Sequence, residues 1–237
     1  SCLICVTKFV QVISCNLPFL FGASVASFIT SCCYRLGNNH SLTIPQRSYC
    51  DNCHCILRWW HLIPIFSFII LRGQCFYCKQ KISLYLPVIE FLSGIAFTTF
   101  LIYEPIHDLI ILLFLTSLIF LTSTDFFSHV IYSYSLLGLF PITLLSIPQN
   151  YFYNLIFACI LVVSLLLFAT FTKTLGIGDI EFLFITCLIW GWYQTLLIIQ
   201  WSSLIMLFIF VFTRKKKLPF IPALSLVTIL CLFIQGC

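Results

Sequence analysis

Apolar runs of membrane length constrain the fold of this chain more than any other feature of its sequence. They fall at roughly 9–33, 86–103, 107–124, 130–148, 152–172, 180–194, 195–213 and 219–235. A transmembrane helix needs about 20 consecutive apolar residues, so we expect about eight spans. Only 8% of the 237 residues are charged, whereas soluble domains have about 25%. The sequence therefore predicts an all-α polytopic membrane protein in a lipid bilayer and excludes a water-soluble fold.

The basic residues predict the orientation of these spans. Of the 12 Lys and Arg residues, all but Lys8 fall after the first, fifth or seventh span. Cytoplasmic loops carry the excess of Lys and Arg, so we expect both termini outside. The first run is expected to be a retained helix, because it is too long for a removable signal peptide. The predicted organisation is a transmembrane helix at 1–33, a cytoplasmic cysteine-rich loop at 34–85 and a seven-helix core at 86–237.

Two of the seven acidic residues stand at the predicted cytoplasmic ends of spans. Asp125 ends the third span and Asp179 begins the sixth. An ionisable group in a membrane segment costs free energy, so its presence favours a functional role. Two carboxylates held close together share one proton, and the pair can then act as general base on a water and general acid on a peptide carbonyl. The pair is a candidate catalytic dyad of an intramembrane aspartic peptidase.

A simpler reading treats each aspartate as a helix end that meets water. A carboxylate in the first turn of a helix is favoured by the helix dipole, and this would account for Asp179. The segment Gly176-Ile177-Gly178-Asp179 favours the catalytic reading. Two glycines there would allow φ > 0 and let a substrate strand approach closely, so Gly176 and Gly178 are predicted to form an active-site loop.

Four of the 14 cysteines form a paired motif in the predicted cytoplasmic loop. Cys50 and Cys53 make one CxxC, and Cys75 and Cys78 make the other. Disulfides do not persist in the cytoplasm, and four thiolates suit tetrahedral Zn²⁺. A structural zinc site is the favoured reading and free thiols are the alternative. Substitute ligands would be Cys55 and, less well, His54 and His61. No internal repeat is apparent in the sequence.

These motifs, in their order along the chain, resemble the type IV prepilin peptidase family. The segments that carry the resemblance are Phe21–Phe28 with Arg35, Pro45–Cys50 with Cys53, Leu62–Pro64 with Ser67, Leu71–Cys75 with Cys78, Tyr85–Glu90, Asp125 with Ile131, Gly176–Asp179 and Pro219–Pro222. The run from Arg47 to Glu90 is the most specific of them. Taken together, the segments cover nearly the whole chain.

The resemblance implies a fold of eight spans, the GxGD-type intramembrane aspartic protease fold with a cytoplasmic zinc-binding loop. It implies that Asp125 and Asp179 cut the leader of a prepilin-like protein after a glycine, at the cytoplasmic face of the bacterial inner membrane. Such substrates serve pilus, type II secretion or competence systems. It also implies N-methylation of the new N-terminus from S-adenosylmethionine. Candidate residues for that second activity, chosen only by position, are Asp51, Arg72 and Glu90.

Three features depart from the pattern of the family. Ile131 is followed by Tyr132 where the family usually has proline, Glu181 stands where a lysine is common, and the chain is compact. None of these departures removes Asp125 or Asp179.

Three other protein classes share parts of the pattern. A presenilin-like protease shares GxGD but carries Tyr before the first aspartate, where this chain has Thr124. An ion-coupled transporter would place its aspartates near the bilayer midplane. A membrane scaffold would use only the zinc loop to bind a partner. No feature indicates nucleic-acid binding, and the expected partners are prepilin-like substrates and lipid.

Overall fold

A computed structural model describes residues 2–38, 41, 47–103, 108–128, 133–139, 141, 151–172, 176–214 and 218–235. Within these ranges the chain is helical and contains no β-strand. The α-helices are α1 (Cys2–Gly37), α2 (Phe66–Ile70), α3 (Tyr85–Tyr103), α4 (Asp108–Ser128), α5 (Tyr151–Thr172), α6 (Ile177–Thr213) and α7 (Ile221–Gln235). Two 3₁₀ helices cover Trp59–Leu62 and Ser133–Leu139.

Four segments of these helices are long and apolar enough to cross a membrane. They are Asn16–Gly37, Leu109–Ser128, Phe152–Phe171 and Ile177–Thr213. Two shorter apolar helices lie at Tyr85–Phe100 and Ile221–Phe233. The described part of the chain therefore agrees with an all-α polytopic membrane protein, while the full count of eight spans stays a prediction.

The predicted sixth and seventh spans form one element, α6, that is interrupted inside. Gly191 leaves helical geometry with φ 80° and ψ 174°, at the boundary that the sequence placed near Trp190–Tyr193. A φ of this sign suits glycine, and a Cβ at this position would stand 3.0 Å from Oδ1 of Asn154. The predicted fourth span, 130–148, lies outside the described residues except for 133–139 and 141.

The chain divides into two compact units, Ser1–Asp108 and Leu109–Cys237. In the first unit α1 packs against α3 through glycines that face bulky partners. A Cβ on Gly22 would lie 2.7 Å from Cβ of Phe97, and a Cβ on Gly94 would lie 2.6 Å from the Phe19 ring. The Ser93 hydroxyl donates a 3.0 Å hydrogen bond to the Gly22 carbonyl. Small residues let membrane helices approach this closely, so the glycines determine the α1–α3 contact.

Substitution of Gly22 by Leu is expected to separate α1 from α3. The added side chain has no room against Phe97 and the Ser93 carbonyl, so the contact must open or the helices must shift. The matched control is Ser24→Leu on the exposed face of α1. We expect the Gly22 variant to lose its monodisperse peak in detergent size-exclusion chromatography, while the Ser24 variant keeps it. A Gly22→Leu protein that behaves like the parent would contradict this packing.

In the second unit α6 packs against α5 and α7. Its core contains Phe182, Leu183 and Ile198 from α6 and Leu224 from α7, all nearly inaccessible to solvent. The last turns of α4, by contrast, bury a run of polar residues from Thr122 to Asp125. Burying polar groups costs free energy unless they are hydrogen-bonded, and the Thr122 and Thr124 hydroxyls bond to carbonyls of their own helix. This run leads to the candidate active site.

Candidate active site and metal site

Asp125 lies in the last turn of α4 and is only 8% exposed. Its Oδ2 accepts a 3.1 Å hydrogen bond from the backbone N–H of Ile221, the first residue of α7. The first N–H groups of a helix have no partner within that helix and carry partial positive charge. The amino end of α7 therefore stabilises negative charge on Asp125, as helix N-termini do for bound anions.

Asp179 lies in the first turn of α6, three residues after the N-cap Gly176. Its carboxylate accepts a hydrogen bond from the Gly176 backbone. This is the return half of a capping box, in which a side chain at the third helical position bonds to the N-cap N–H. The contact holds the carboxylate against its own helix end and limits the directions in which it can point.

The structure brings the two aspartates together. Although 54 residues separate them in the sequence, their carboxylates are close enough to interact directly by electrostatics. Each sits at the amino end of a helix, Asp125 at that of α7 and Asp179 at that of α6. The fold thus places two mutually repelling carboxylates near one another.

The glycines beside Asp179 play a different role from the one predicted. Gly176 is extended, with φ −75° and ψ 143°, and Gly178 belongs to the regular helix. The expectation that these residues adopt φ > 0 is therefore wrong. The physical reason for glycine at 176 is space, because a Cβ there would lie 3.3 Å from Oδ2 of Asp179. Any larger residue would press on the carboxylate.

An open apolar groove of about 540 Å³ is lined mainly by residues of α5 and α6. Ile177, Ile180 and Glu181 border it on the side of α6, and they flank Asp179 in the sequence. The rest of its lining comes from Leu136, Cys159, Val162, Val163, Leu166, Phe184 and Ile185. Glu181 is the charged residue of this lining. The groove could accommodate an apolar helical segment.

The four cysteines predicted to bind metal form one cluster. The Sγ atoms of Cys50, Cys53, Cys75 and Cys78 all lie within 4.8 Å of one another. The Sγ atoms of Cys50 and Cys78 are 3.7 Å apart. In a tetrahedral site with four Zn–S bonds of about 2.3 Å, neighbouring sulfurs are roughly 3.8 Å apart. The geometry fits a tetrahedral metal ion such as zinc, and Cys55 lies outside the cluster.

The two CxxC pairs lie 25 residues apart and have the same backbone conformation. The loop therefore contains a structural repeat of two turns. In each copy the first cysteine donates its N–H to the carbonyl five residues later, in the bonds Cys50–Cys55 and Cys75–Gln80. The residue after the second cysteine is left-handed in both copies, with φ 53° at His54 and 58° at Lys79. The sequence shows no such repeat because the residues shared by the two turns are mainly the cysteines.

The surroundings of Cys78 favour the thiolate, which is the form that binds metal. Hydrogen bonds from the Asn52 side chain and the Gln80 backbone lower the pKa of the Cys78 thiol from 9.0 to about 6. The turn therefore prepares one sulfur for coordination near neutral pH.

Two of the residues considered for methyl transfer already hold the first unit together. Oε2 of Glu90, a buried residue of α3, accepts a 2.8 Å hydrogen bond from the Ile65 backbone N–H. Glu90 also bonds to the Ser27 side chain on α1. Asp51 accepts a hydrogen bond from the Tyr34 hydroxyl. These contacts give Glu90 and Asp51 a structural role in the first unit.

Comparisons with known proteins find similarity to prepilin peptidases. The family model for the bacterial peptidase A24 N-terminal domain matches residues 20–103, which include the cysteine cluster. A prepilin leader peptidase/N-methyltransferase of Legionella pneumophila is 28% identical over 207 residues, covering 79% of this chain and 72% of that protein. Over most of its length the chain is thus similar to a prepilin leader peptidase.

Other relatives match shorter stretches. The protein of the same name from Myxococcus xanthus is 32% identical over 108 residues, or 44% of this chain and 32% of the relative. The one from Bacillus subtilis is 33% identical over 82 residues, or 35% of this chain and 33% of the relative. Several matches therefore span about a third of the relative's length. No solved structure matches the chain.

Proposed function

We propose that this chain is an aspartic endopeptidase that removes the N-terminal leader of prepilin-like proteins. It would cut after a glycine at the cytoplasmic face of the bacterial inner membrane. The observation that carries the proposal is the proximity of Asp125 and Asp179, in a chain whose relatives are named prepilin leader peptidases. Both aspartates lie in terminal turns of their helices, which supports a peptidase over a transporter with ion-binding carboxylates at mid-membrane.

In the proposed mechanism the two carboxylates share one proton, which belongs to the pair rather than to either residue. The ionised carboxylate takes a proton from water while the water oxygen bonds to the scissile carbonyl carbon. The protonated carboxylate gives its proton to the carbonyl oxygen. The resulting diol collapses as the C–N bond breaks: the ionised carboxylate takes a proton from one diol hydroxyl, and the protonated carboxyl gives its proton to the leaving nitrogen. The Ile221 N–H supports the negative charge that Asp125 carries in this cycle.

We further propose that the apolar groove lined by α5 and α6 receives the apolar segment of the substrate. Its lining is apolar apart from Glu181, which suits an apolar substrate helix. A bound helix would present its end to the carboxylates. Holding the peptide bond there would supply the positioning that accounts for much of enzymatic rate enhancement.

Substitution of Val163 by Trp is expected to fill the groove and to lower cleavage by about tenfold or more, because a misplaced substrate reacts slowly. Leu167→Trp is a matched control, since both residues belong to α5 and both are 57% exposed, but Leu167 does not line the groove. The measurement is the initial rate of leader removal in detergent micelles. Equal rates for the two variants would exclude the groove as the substrate path.

For the loop we propose a structural zinc ion held by Cys50, Cys53, Cys75 and Cys78. With four protein ligands and no open position, such an ion stabilises structure and does not activate water. Methylation of the new N-terminus remains an expectation from the family resemblance. We assign no step of it to residues of this chain.

The proposed function is tested by co-expressing the chain with a prepilin-like protein from the same genome and measuring the intact mass of that protein. The expected result is a single product whose mass corresponds to a cut after the glycine of its leader. A substrate that keeps its full mass in the presence of well-folded, membrane-inserted protein would refute the proposal.

A further inference from the structure

The segment from Trp59 to Leu71 buries none of its apolar side chains. Neither its 3₁₀ helix nor α2 contains a buried residue. Trp59 is 72% exposed and Ile70 is 75% exposed, and Phe66 and Ile69 are also exposed. A contiguous apolar surface of this kind on a soluble loop would mark an interaction site or cause aggregation.

A part-buried hydrogen bond places this segment beside α3 instead of beyond its end. Ile65 donates its N–H to Glu90, which lies five residues inside α3, or roughly 7.5 Å along the helix axis. Glu90 is level with Ser27, ten residues before the end of α1. The Ile65 turn therefore lies alongside the α1–α3 pair, near the end where the loop joins it.

The charges next to this segment complement an anionic surface. The loop 34–85 carries six Lys and Arg residues and one acidic residue, Asp51. A cleft of about 510 Å³ is lined by Arg47, Arg58, Trp59 and Trp60. The Arg58 guanidinium lies 5.1 Å from the centre of the Trp60 ring. Tryptophan rings favour the headgroup depth of a bilayer, and basic residues at that depth bind anionic lipids.

We propose that Trp59–Leu71 lies in the headgroup region of the bilayer and that the adjoining cleft binds the phosphate of an anionic phospholipid through Arg47 and Arg58. The segment then lies in the plane of the membrane, in the manner of interfacial amphipathic segments. This lipid contact covers the apolar residues that the protein leaves exposed. It is independent of the peptidase activity, because every group involved belongs to the first unit.

The phosphate site is tested by native mass spectrometry of the full chain in detergent with equal amounts of phosphatidylglycerol and phosphatidylcholine. We expect phosphatidylglycerol to be retained preferentially. We expect Arg58→Gln, and independently Arg47→Gln, to lower that retention at least fivefold. Lys81→Gln is the matched control, because Lys81 is an exposed residue of the same loop outside the cleft. Equal losses in all three variants, or none in the arginine variants, would overturn the proposal.

The depth of the segment is tested by tryptophan fluorescence in nanodiscs. Quenching by lipids brominated near the headgroup and near the chain ends is compared between the parent and a Trp59→Phe/Trp60→Phe variant. The difference between the parent and variant signals is the fluorescence of Trp59 and Trp60. We expect lipids brominated near the headgroup to quench it more than lipids brominated near the chain ends. A signal that neither lipid quenches would mean that water or a protein covers the segment, and would overturn the proposal.

Discussion

Replacement of Asp179 by Asn is expected to abolish leader cleavage, with a loss of roughly 10³-fold or more. Asn keeps the shape of the side chain but can neither ionise nor carry a transferable proton, so it removes general acid–base catalysis. Asp125→Asn is expected to have an equal effect, because the two carboxylates act on the same water. The measurement is the initial rate of leader removal in micelles, followed by intact mass.

The control for this loss is Asp108→Asn. Asp108 begins α4, the helix whose last turn carries Asp125, so the control changes the same residue type at the other end of that element. We expect the control to retain the parent rate. If the Asp108 variant lost as much activity as the Asp179 variant, the effect would reflect general damage to the helix bundle and the catalytic assignment would fail.

Replacement of Cys78 by Ser is expected to release the metal and unfold the cysteine loop. Purified parent protein should contain about one zinc ion per chain, and the variant less than about a fifth of that. The loop depends on this ion because it has almost no core. Between residues 47 and 84, all of which the structure describes, only the side chain of Cys75 is buried. It is 5% exposed and is itself a proposed metal ligand. Metal binding must then supply most of the folding free energy of the loop.

Cys55→Ser provides the comparison for the cysteine variant. Cys55 lies between the two CxxC pairs and its backbone carbonyl accepts the Cys50 N–H, but its sulfur does not belong to the cluster. A serine there should leave both the metal content and the protease resistance of the loop unchanged. The measurement is the zinc content per chain of the two variants, by inductively coupled plasma mass spectrometry. Equal zinc in the Cys78 and Cys55 variants would rule out the proposed ligand set.

The helices could be predicted because their signal is local. A run of apolar residues of membrane length is sufficient to indicate a helix, and α3, α5 and α7 begin within two residues of the predicted limits. The break at Gly191 also fell where the aromatic cluster indicated it. The cysteine cluster was predictable because the ligand spacing encodes it, and the four sulfurs lie together as expected.

The arrangement around the aspartates could not be predicted in detail, because it depends on contacts between distant segments. The sequence indicates that Asp125 and Asp179 matter, but not that the amino end of α7 donates the Ile221 N–H to Asp125. The prolines of the Pro219–Pro222 segment indicated where α7 begins, since prolines commonly begin helices. They did not indicate that this helix end contacts Asp125. The glycines before Asp179 were recognised for the wrong reason. Backbone flexibility can be inferred from the residue type, but the 3.3 Å distance between a Cβ at position 176 and Oδ2 of Asp179 depends on the folded structure.

A double-variant cycle tests most directly whether the two aspartates form one catalytic unit. Cleavage rates are measured for Asp125→Asn, Asp179→Asn and the protein that carries both substitutions. Residues that act as a unit are strongly non-additive, so the account predicts that all three variants share one residual rate, within about threefold. Multiplicative losses in the double variant, or a single variant that cleaves at the parent rate, would contradict it.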